Sequence, residues 1–256
     1  MKSHFAKWMF TFIVVVVFTA QTAWAFDFSK WDDLLKKYVA EVTIDGVNIH
    51  AVDYQKLGKD PDYRALVKDL EAVSLANVET KQDKLAFWIN VYNVMAVKMV
   101  LDHYPVESIK DAGSFFQSVW KKDVGTVGGI TRTLNEIEHD ILRKLGEPRI
   151  HVAIVCASVS CPDLRKEAYT VKQLDVQLDD QMRTFLANKE KGLCVNRAKN
   201  QIYLSSIFKW FKEDFDSKGG VIAFITPIAP DDMQATLKNE KLHISYLDYN
   251  WDLNEF

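Results

Sequence analysis

Two of the chain's three cysteines follow a histidine closely in the segment RIHVAIVCASVSCPDL, residues 149–164. A cysteine thiolate is a strong nucleophile when a base or hydrogen-bond donors stabilise it. Cys156 is the preferred nucleophile, because it closes an apolar run that would hold its side chain rigidly. Cys161 precedes Pro162 at a predicted helix start, where the helix dipole would lower its thiol pKa, and is the second choice. A disulfide between the two cysteines is the structural alternative.

The base that would activate the thiol is a histidine, and two are candidates. RIHVAIVC is short, β-branched and bounded by polar residues, which predicts a buried strand. On a strand, His151 and Cys156 would face opposite sides and lie about 16 Å apart. His139, brought in from the preceding helix, is therefore the more plausible base. His151 then serves either as the base on a bent strand or as a partner of the nearby acid.

The most informative acid is Glu138, in the segment LNEIEHDILRKLG. On a helical wheel it falls inside the stripe formed by Leu134, Ile137 and other apolar residues. A carboxylate on a buried face must be neutralised, paired or fully hydrogen-bonded. One interpretation is a buried ion pair with Arg149 or Arg165. The other is a functional carboxyl group that orients a histidine or transfers protons with a raised pKa.

Two amides lie on a helix that is apolar on nearly every side, AFWINVYNVMAV. Such a helix is typical of the centre of a fold. Asn90 and Asn93 then need hydrogen-bond partners, because an unpaired buried amide costs about 1–3 kcal/mol. They either bond the backbone of neighbouring loops or line a polar, substrate-binding cavity.

The secondary-structure elements that must position these residues are predicted to be mostly helices. Asp45-Gly46 between alternating apolar residues predicts a hairpin. Amphipathic helices are expected at DPDYRALVKDLEAV and TVKQLDVQLDDQMRTFLANK, a second hairpin at LCVNRAKNQIYLSS, and a strand with an aromatic tail at LHISYLDYNWDLN. Thr133 and Glu136 form a capping box, and Gly146 ends the helix that follows. The pattern predicts an α+β fold, a helix-rich single domain around a mixed or antiparallel sheet.

The N-terminal residues have the pattern of an export signal. Lys2 and Lys7 precede an apolar run, and AWA at 23–25 fits a cleavage site before Phe26. We therefore expect a signal peptide over residues 1–25, one globular domain over residues 26–256, and a periplasmic or secreted protein. No stable membrane insertion is expected after cleavage, because the run is shorter than the roughly 20 residues of a membrane-spanning helix.

Composition argues against several classes of function. A net charge of −3 without a basic block gives no reason to expect nucleic acid as a partner. The sequence contains no Gly-rich phosphate loop, no HExxH helix and no GxSxG elbow, so no cofactor is expected. A zinc site would need a fourth ligand that the sequence does not place, so no metal is expected.

Five segments together resemble domain-of-unknown-function family number 547: AFWINVYN, LNEIEHDILR, RIHVAIVCASVSCPDL, FKWFKEDF and YNWDLN. They occur in the family's order, and the resemblance covers roughly residues 50 to 254. It implies a mixed α/β fold similar to papain-type thiol hydrolases, a Glu-His-Cys constellation and a pocket for a small thiol peptide such as glutathione. By motif, that constellation corresponds to Glu138, His139, His151 and Cys156.

These observations predict a thiol-dependent hydrolase or acyltransferase that acts on a peptide, an amide or a small thiol peptide. The alternative is a non-catalytic protein that binds a small ligand in the same pocket. Both interpretations expect a small-molecule or peptide partner. The sequence leaves the substrate and the oligomeric state open.

Overall fold

The computed structural model of the protein describes residues 26–114, 117–239 and 241–256. The predicted signal peptide, residues 1–25, lies outside the described residues. The predicted helix-rich α+β class is confirmed. The helices are α1 (Ser29–Tyr38), α2 (Tyr54–Leu57), α3 (Pro61–Glu71), α4 (Lys81–His103), α5 (Ile150–Ala153), α6 (Leu174–Ala187), α7 (Ile207–Trp210), α8 (Val221–Ile225) and α9 (Asp231–Leu237).

The strands form three small sheets in the described part of the chain, where one sheet was expected. They are β1 (Val39–Ile44), β2 (Val47–Val52), β3 (Asp123–Val127), β4 (Ile130–Thr133), β5 (Leu193–Asn196), β6 (Gln201–Leu204) and β7 (His243–Tyr246). Two of the sheets are antiparallel hairpins, β1–β2 and β3–β4. The third is mixed, because β6 pairs antiparallel with β5 and parallel with β7. The two hairpins predicted from the sequence, at Asp45-Gly46 and at LCVNRAKNQIYLSS, are present as β1–β2 and β5–β6.

The turn of the first hairpin has the backbone that its sequence predicts. Asp45 and Gly46 have φ angles of 50° and 80°. Positive φ at both central residues is the geometry of a type I′ turn, whose twist matches that of the flanking strands. The hairpin register places Val42 opposite Ile49.

Helix α4 runs through the centre of the protein and begins at a capping box. The Thr80 hydroxyl accepts from the Asp83 backbone N–H, and the Asp83 carboxylate accepts from the Thr80 backbone N–H. By length and composition this helix could cross a membrane, but 83% of its most apolar 18-residue window is buried inside the protein. It therefore has the burial of a core helix, and the elements that form the candidate site pack around it.

The helix after β4 is wider than an α-helix. The predicted capping box is present, with the Glu136 N–H donating to the Thr133 hydroxyl at 3.0 Å. From Glu136 to Leu142 the backbone is π-helical, and the Arg143 N–H reaches back five residues to the Glu138 carbonyl. A 3₁₀ turn, Arg143–Leu145, follows and ends at Gly146, whose φ of 63° is left-handed. The predicted stop is confirmed, whereas the predicted α-helical geometry is wrong.

The predicted strand RIHVAIVC is also wrong. Its first half is the short helix α5, and its second half is an extended segment that pairs with no strand among the described residues. The polar backbone groups of this segment bond instead to a side chain of α4. Asn93 donates to the Ala153 carbonyl at 2.9 Å and accepts from the Val155 N–H at 2.9 Å. A buried backbone must satisfy its hydrogen bonds, and here an amide replaces a neighbouring strand.

Helix α5 joins two packed cores. Ile150 and Ala153 belong to the core around α4. Val152 belongs to the second core, which contains parts of α6, the β5–β6 hairpin and the helices that follow. The candidate site lies at this junction.

Candidate active site

A cavity of about 110 Å³ lies between the π-helical segment, the loop after α5 and the C-terminal segment; we call it the site cavity. The lining residues that can exchange protons or act as nucleophiles are Glu138, His151, Cys156 and Cys161. Its aromatic lining residues are Tyr92, Trp120, Trp210, Phe211, Tyr249 and Trp251. The structure thus brings together four of the seven side chains selected from the sequence. The other three, His139, Asn90 and Asn93, lie elsewhere.

A larger cavity, about 630 Å³, lies against the N-terminal segment of the described chain. Phe26, Phe28 and Phe87 form its aromatic wall, and Asp32 and Asp83 are among its polar residues. Its lining includes neither a cysteine nor a histidine. Within the described ranges, no group of three or more His, Cys, Asp or Glu residues is arranged to hold a metal ion. Of these two cavities, the site cavity is the one lined by cysteine and histidine side chains.

Cys156 is partly exposed, and its sulfur lies among three polar neighbours. The Cys156 Sγ is 3.0 Å from Cys161 Sγ, 3.2 Å from Tyr249 Oη and 3.3 Å from Ser158 Oγ. The hydrogen bond from Cys161 is the largest influence on the Cys156 pKa, which falls from 9.0 to about 7 against the opposing effect of burial. A substantial fraction of the thiol is therefore thiolate at neutral pH, which is the reactive form.

Cys161 is buried beneath Cys156 and has the opposite character. Burial, followed by the neighbouring Cys156, raises the pKa of its thiol well above 9.0. No helix begins at Cys161, so the predicted dipole effect on its pKa is wrong. Its sulfur accepts from the Cys156 backbone N–H at 2.8 Å. Both cysteines are free thiols, so the disulfide alternative is not the state of the structure.

Glu138 lies on the cavity wall, and only 7% of its surface is exposed. Tyr92 Oη of α4 donates to its carboxylate at 3.3 Å. Burial, with a smaller contribution from the charge of Cys156, raises the Glu138 pKa from 4.5 to about 7. Of the two interpretations, the ion pair with Arg149 or Arg165 is not formed, because both arginines bind other carboxylates. Glu138 can therefore hold a proton near neutral pH.

His151 is the histidine of the cavity, and Asp214 holds it in place. Because a carboxylate only accepts, His151 Nε2–H donates to Asp214 Oδ2, at 2.7 Å. Arg143 binds the same carboxylate through two nitrogens, each at 2.7 Å. Burial opposes ionisation of Asp214, but the hydrogen bonds from His151 and Arg143 outweigh it and lower the Asp214 pKa. The imidazole also stacks on Phe211, with ring centres 4.0 Å apart.

The other ring nitrogen of His151 is free to act as a base. Nδ1 is buried and has no hydrogen-bond partner in the described part of the protein. Burial, only partly offset by Asp214, lowers the His151 pKa below 6.5. The ring is therefore neutral at pH 7, with its proton on Nε2 and a lone pair on Nδ1. An orphaned buried acceptor in a side chain that lines the cavity suits proton transfer.

His139 does not line the cavity. Its Nδ1 lies 2.7 Å from an Arg143 guanidinium nitrogen, which can only donate to it. Burial, and then the charge of Arg143, lower the His139 pKa. The structure therefore places His151, and not His139, at the cavity, and the strand on which the preference for His139 depended is not there. With α5 in its place, His151 and Cys156 line the same cavity.

The two amides of α4 hold loops and do not line the cavity. Asn90 donates to the Tyr169 carbonyl at 2.8 Å and accepts from the Tyr169 N–H at 2.9 Å. Asn93 makes the matching pair of bonds to Ala153 and Val155. For both Asn90 and Asn93, the structure therefore favours hydrogen bonding to loop backbone over substrate binding. Asn93 nevertheless matters for the site, since it positions the residues directly before Cys156.

Sequence reasoning missed Asp214, Arg143 and Tyr249 as site residues. Asp214 lies in FKWFKEDF and Tyr249 is the first residue of YNWDLN, two of the segments that carry the family resemblance. Nothing in their local pattern distinguishes them from ordinary surface and packing residues. A buried histidine such as His151 needs a hydrogen-bond partner, and this need predicts a nearby carboxylate. Only the fold shows that the carboxylate is Asp214.

The fold and the site define a helix-rich α+β protein in which a thiol, a carboxyl group and an imidazole share one cavity. Residues 75–186 match the family described as "Protein of unknown function, DUF547", so the resemblance read from the motifs is confirmed for this segment. It contains α4, the π-helical segment and both cavity cysteines, whereas Asp214 and Tyr249 lie beyond it. The implied likeness to papain-type hydrolases is not confirmed. No curated protein and no solved structure matches the chain.

Proposed function

We propose that this protein is an exported thiol-dependent hydrolase or acyltransferase that acts on a peptide or amide, or on a small thiol peptide such as glutathione. The observation that carries the proposal is the sulfur of Cys156. It lies among three hydrogen-bonding neighbours on the wall of a cavity shared with Glu138 and His151. Nucleophile, acid and base are the groups that acyl transfer needs.

In the first step, the Cys156 thiolate attacks the substrate's carbonyl carbon. The bond from that carbon to the leaving nitrogen or sulfur breaks, and the leaving group takes a proton from the Glu138 carboxyl. Because the Glu138 pKa is about 7, the acid is partly protonated at neutral pH. This leaves an acyl group on the sulfur of Cys156.

In the second step, His151 Nδ1 accepts a proton from water, whose oxygen attacks the acyl carbon. The carbon–sulfur bond breaks, the Cys156 thiolate is restored, and the proton taken up by His151 returns to the Glu138 carboxylate through solvent. An acceptor nucleophile in place of water would make the reaction an acyl transfer. Asp214 keeps the proton of the imidazole on Nε2, which leaves Nδ1 able to accept.

We also propose that the chain is exported, to the periplasm or beyond, as the charged and apolar N-terminal pattern favours. The expected mature protein starts at Phe26 and forms one domain. N-terminal sequencing of protein recovered outside the cytoplasm tests this, and an uncut chain retained in the cytoplasm contradicts it.

The proposal is tested by iodoacetamide labelling of the reduced protein between pH 5.5 and 9.5, read by peptide mass spectrometry. We expect labelling of Cys156 to reach half its maximal rate near pH 7, as its lowered pKa requires. Cys156→Ser should abolish that reaction. Cys194→Ser, which removes the free cysteine of β5, is the matched control and should leave it unchanged. Labelling that rises only above pH 8.5 contradicts the proposal.

A non-catalytic binding protein is the second candidate, and one observation favours it. No hydrogen bond joins the Cys156 sulfur to His151, both of which are described, while aromatic rings form much of the cavity wall. This candidate predicts that glutathione raises the melting temperature of both the unaltered protein and Cys156→Ser, without turnover. Cleavage or acyl transfer that requires Cys156 rules it out.

A further inference from the structure

The two thiols of the site cavity are held against each other by the surrounding backbone. Their sulfurs are 3.0 Å apart, so a movement of about 1 Å would bring them to bonding distance. Between them the chain turns at Ala157, whose φ of 58° is rare for a residue other than glycine. Such a conformation persists only where the surroundings over-determine it, so the turn is built to keep the sulfurs together.

The C-terminal segment and a buried lysine clamp this turn. The Val159 N–H donates to the Asp252 carbonyl at 2.9 Å, and the Asn254 N–H donates to the Ala157 carbonyl at 3.2 Å. On the other side, Lys191 Nζ donates to the Cys161 carbonyl at 3.0 Å, and only 2% of Lys191 is exposed. The two cysteines are therefore presented by a fixed frame.

The pair is asymmetric. Cys156 is partly exposed and lines the cavity, whereas only 3% of Cys161 is exposed. Their pKa values are displaced in opposite directions, downward for Cys156 and upward for Cys161. An accessible attacking thiol in front of a buried second thiol is the arrangement that thiol–disulfide exchange requires, because one sulfur meets the substrate and the other releases it.

We propose that Cys156 and Cys161 act as a dithiol that reduces small organic disulfides, a second activity of the same cavity. The inference rests on the proposed function in one respect, the accessibility of Cys156 as a nucleophile. It does not require Glu138 or His151. The small volume of the cavity, about 110 Å³, favours a small disulfide over a folded protein chain.

The exchange has two steps. The Cys156 thiolate attacks one sulfur of the substrate, whose S–S bond breaks and releases the first thiolate, leaving a mixed disulfide on Cys156. Cys161 then gives its proton to the first thiolate released and attacks the Cys156 sulfur, which expels the second substrate thiolate and closes a Cys156–Cys161 disulfide. The substrate disulfide gains two electrons and the protein dithiol loses two, so the step needs no other oxidant.

The test uses the mature chain, reduced and freed of reductant, mixed with bis-hydroxyethyl disulfide and quenched with acid for intact-mass measurement. We expect the unaltered protein to lose about 2 Da, with no lasting adduct. In Cys161→Ser, an adduct of one hydroxyethylthio group should persist on Cys156 for at least about ten times as long as it does on the unaltered protein. Cys156→Ser should show neither product, and the control Cys194→Ser should behave as the unaltered protein does.

The outcomes separate this inference from the proposed function. A lasting adduct on the unaltered protein overturns the dithiol, and the proposed function survives if iodoacetamide still labels Cys156 near pH 7. A Cys156 that reacts with neither reagent overturns both. A Cys156–Cys161 disulfide that mild reductant cannot open overturns the exchange as well. Because the first measurement is made on the unaltered chain, the test does not depend on a variant folding.

Discussion

Replacing Glu138 with glutamine should make the protein more stable at alkaline pH. The carboxyl group is 7% exposed, and its one side-chain hydrogen bond comes from Tyr92. Burial raises its pKa from 4.5 to about 7, so the folded protein holds the proton more tightly than the unfolded chain does. Above pH 7 the folded state must accommodate a poorly solvated negative charge. Glutamine has nearly the same shape, accepts the same hydrogen bond and carries no charge.

The size and sign of the effect follow from the pKa. One pKa unit corresponds to about 1.4 kcal/mol, so protonated Glu138, whose pKa rises from 4.5 to about 7 on folding, contributes about 3 kcal/mol more to the free energy of unfolding than the ionised group does. Because the pKa is raised on folding, this contribution is fully present below pH 4.5 and is lost as the pH rises through about 7. Glu138→Gln escapes that loss. We expect it to match the unaltered protein near pH 4.5 and to exceed its free energy of unfolding by about 2–3 kcal/mol near pH 8.5.

Guanidinium unfolding followed by tryptophan fluorescence, with reductant present at both pH values, measures this difference. Glu190→Gln makes the same chemical change at an exposed position and should alter stability at neither pH. The reasoning is refuted if Glu138→Gln is no more stable than the unaltered protein at pH 8.5. It is also refuted if the gain is as large at pH 4.5, since that would be a packing effect and not a charge effect.

Three further substitutions test the frame around the cavity. Asn93→Ala should lower the free energy of unfolding by about 2–4 kcal/mol in urea titrations, because a buried carbonyl and a buried N–H both lose their partner. Lys191→Met should cost about 3 kcal/mol in the same assay, because the Asp163 carboxylate loses the positive charge that lies 2.6 Å from it and keeps only the neutral His50 N–H as a donor within the described ranges. Asp214→Asn should lower the pKa of His151 further, since it removes the carboxylate that favours the charged imidazole, and proton NMR of the ring measures that pKa.

The sequence predicted the elements whose geometry is set locally. The Asp45-Gly46 turn and the Thr133–Glu136 capping box depend on residues within a few positions of each other, and both are present. Gly146 ends its helix for the same local reason. The α+β class followed from the count and spacing of such elements. Local hydrogen bonding and turn chemistry decide these features, so one sequence suffices.

The sequence did not predict the backbone of residues 150–156. Ile150, Val152 and Val155 have the composition of a strand, but a strand needs a partner, and here the partner is an amide of α4. That contact joins residues about 60 positions apart and leaves no periodic pattern. The strand prediction placed His151 and Cys156 on opposite faces, whereas both line the same cavity in the structure. For that reason His139 was the preferred base.

The wheel that selected Glu138 assumed an α-helix, whereas the structure has a π-helical turn there. The assignment of Glu138 to the buried face survived this difference because Ile137 and Leu142, its apolar neighbours, are buried as well. A helical wheel shows only neighbours on one helix, so it could not predict the hydrogen bond between His151 and Asp214. Asp214 lies 63 positions further along the chain, in a segment that returns to the cavity only in the folded state.

One helix sets the spacing of the candidate groups. Tyr92 of α4 donates to Glu138, and the adjacent Asn93 binds the two residues that lead into Cys156. The π-helical turn and the loop after α5 are irregular, and neither would hold a side chain in place alone. Helix α4 is regular, capped and buried along its central part, so it holds both relative to a common axis. Through a phenol and an amide at adjacent positions of its buried part, α4 therefore ties the acid and the segment that leads into the sulfur to the same turn of one helix.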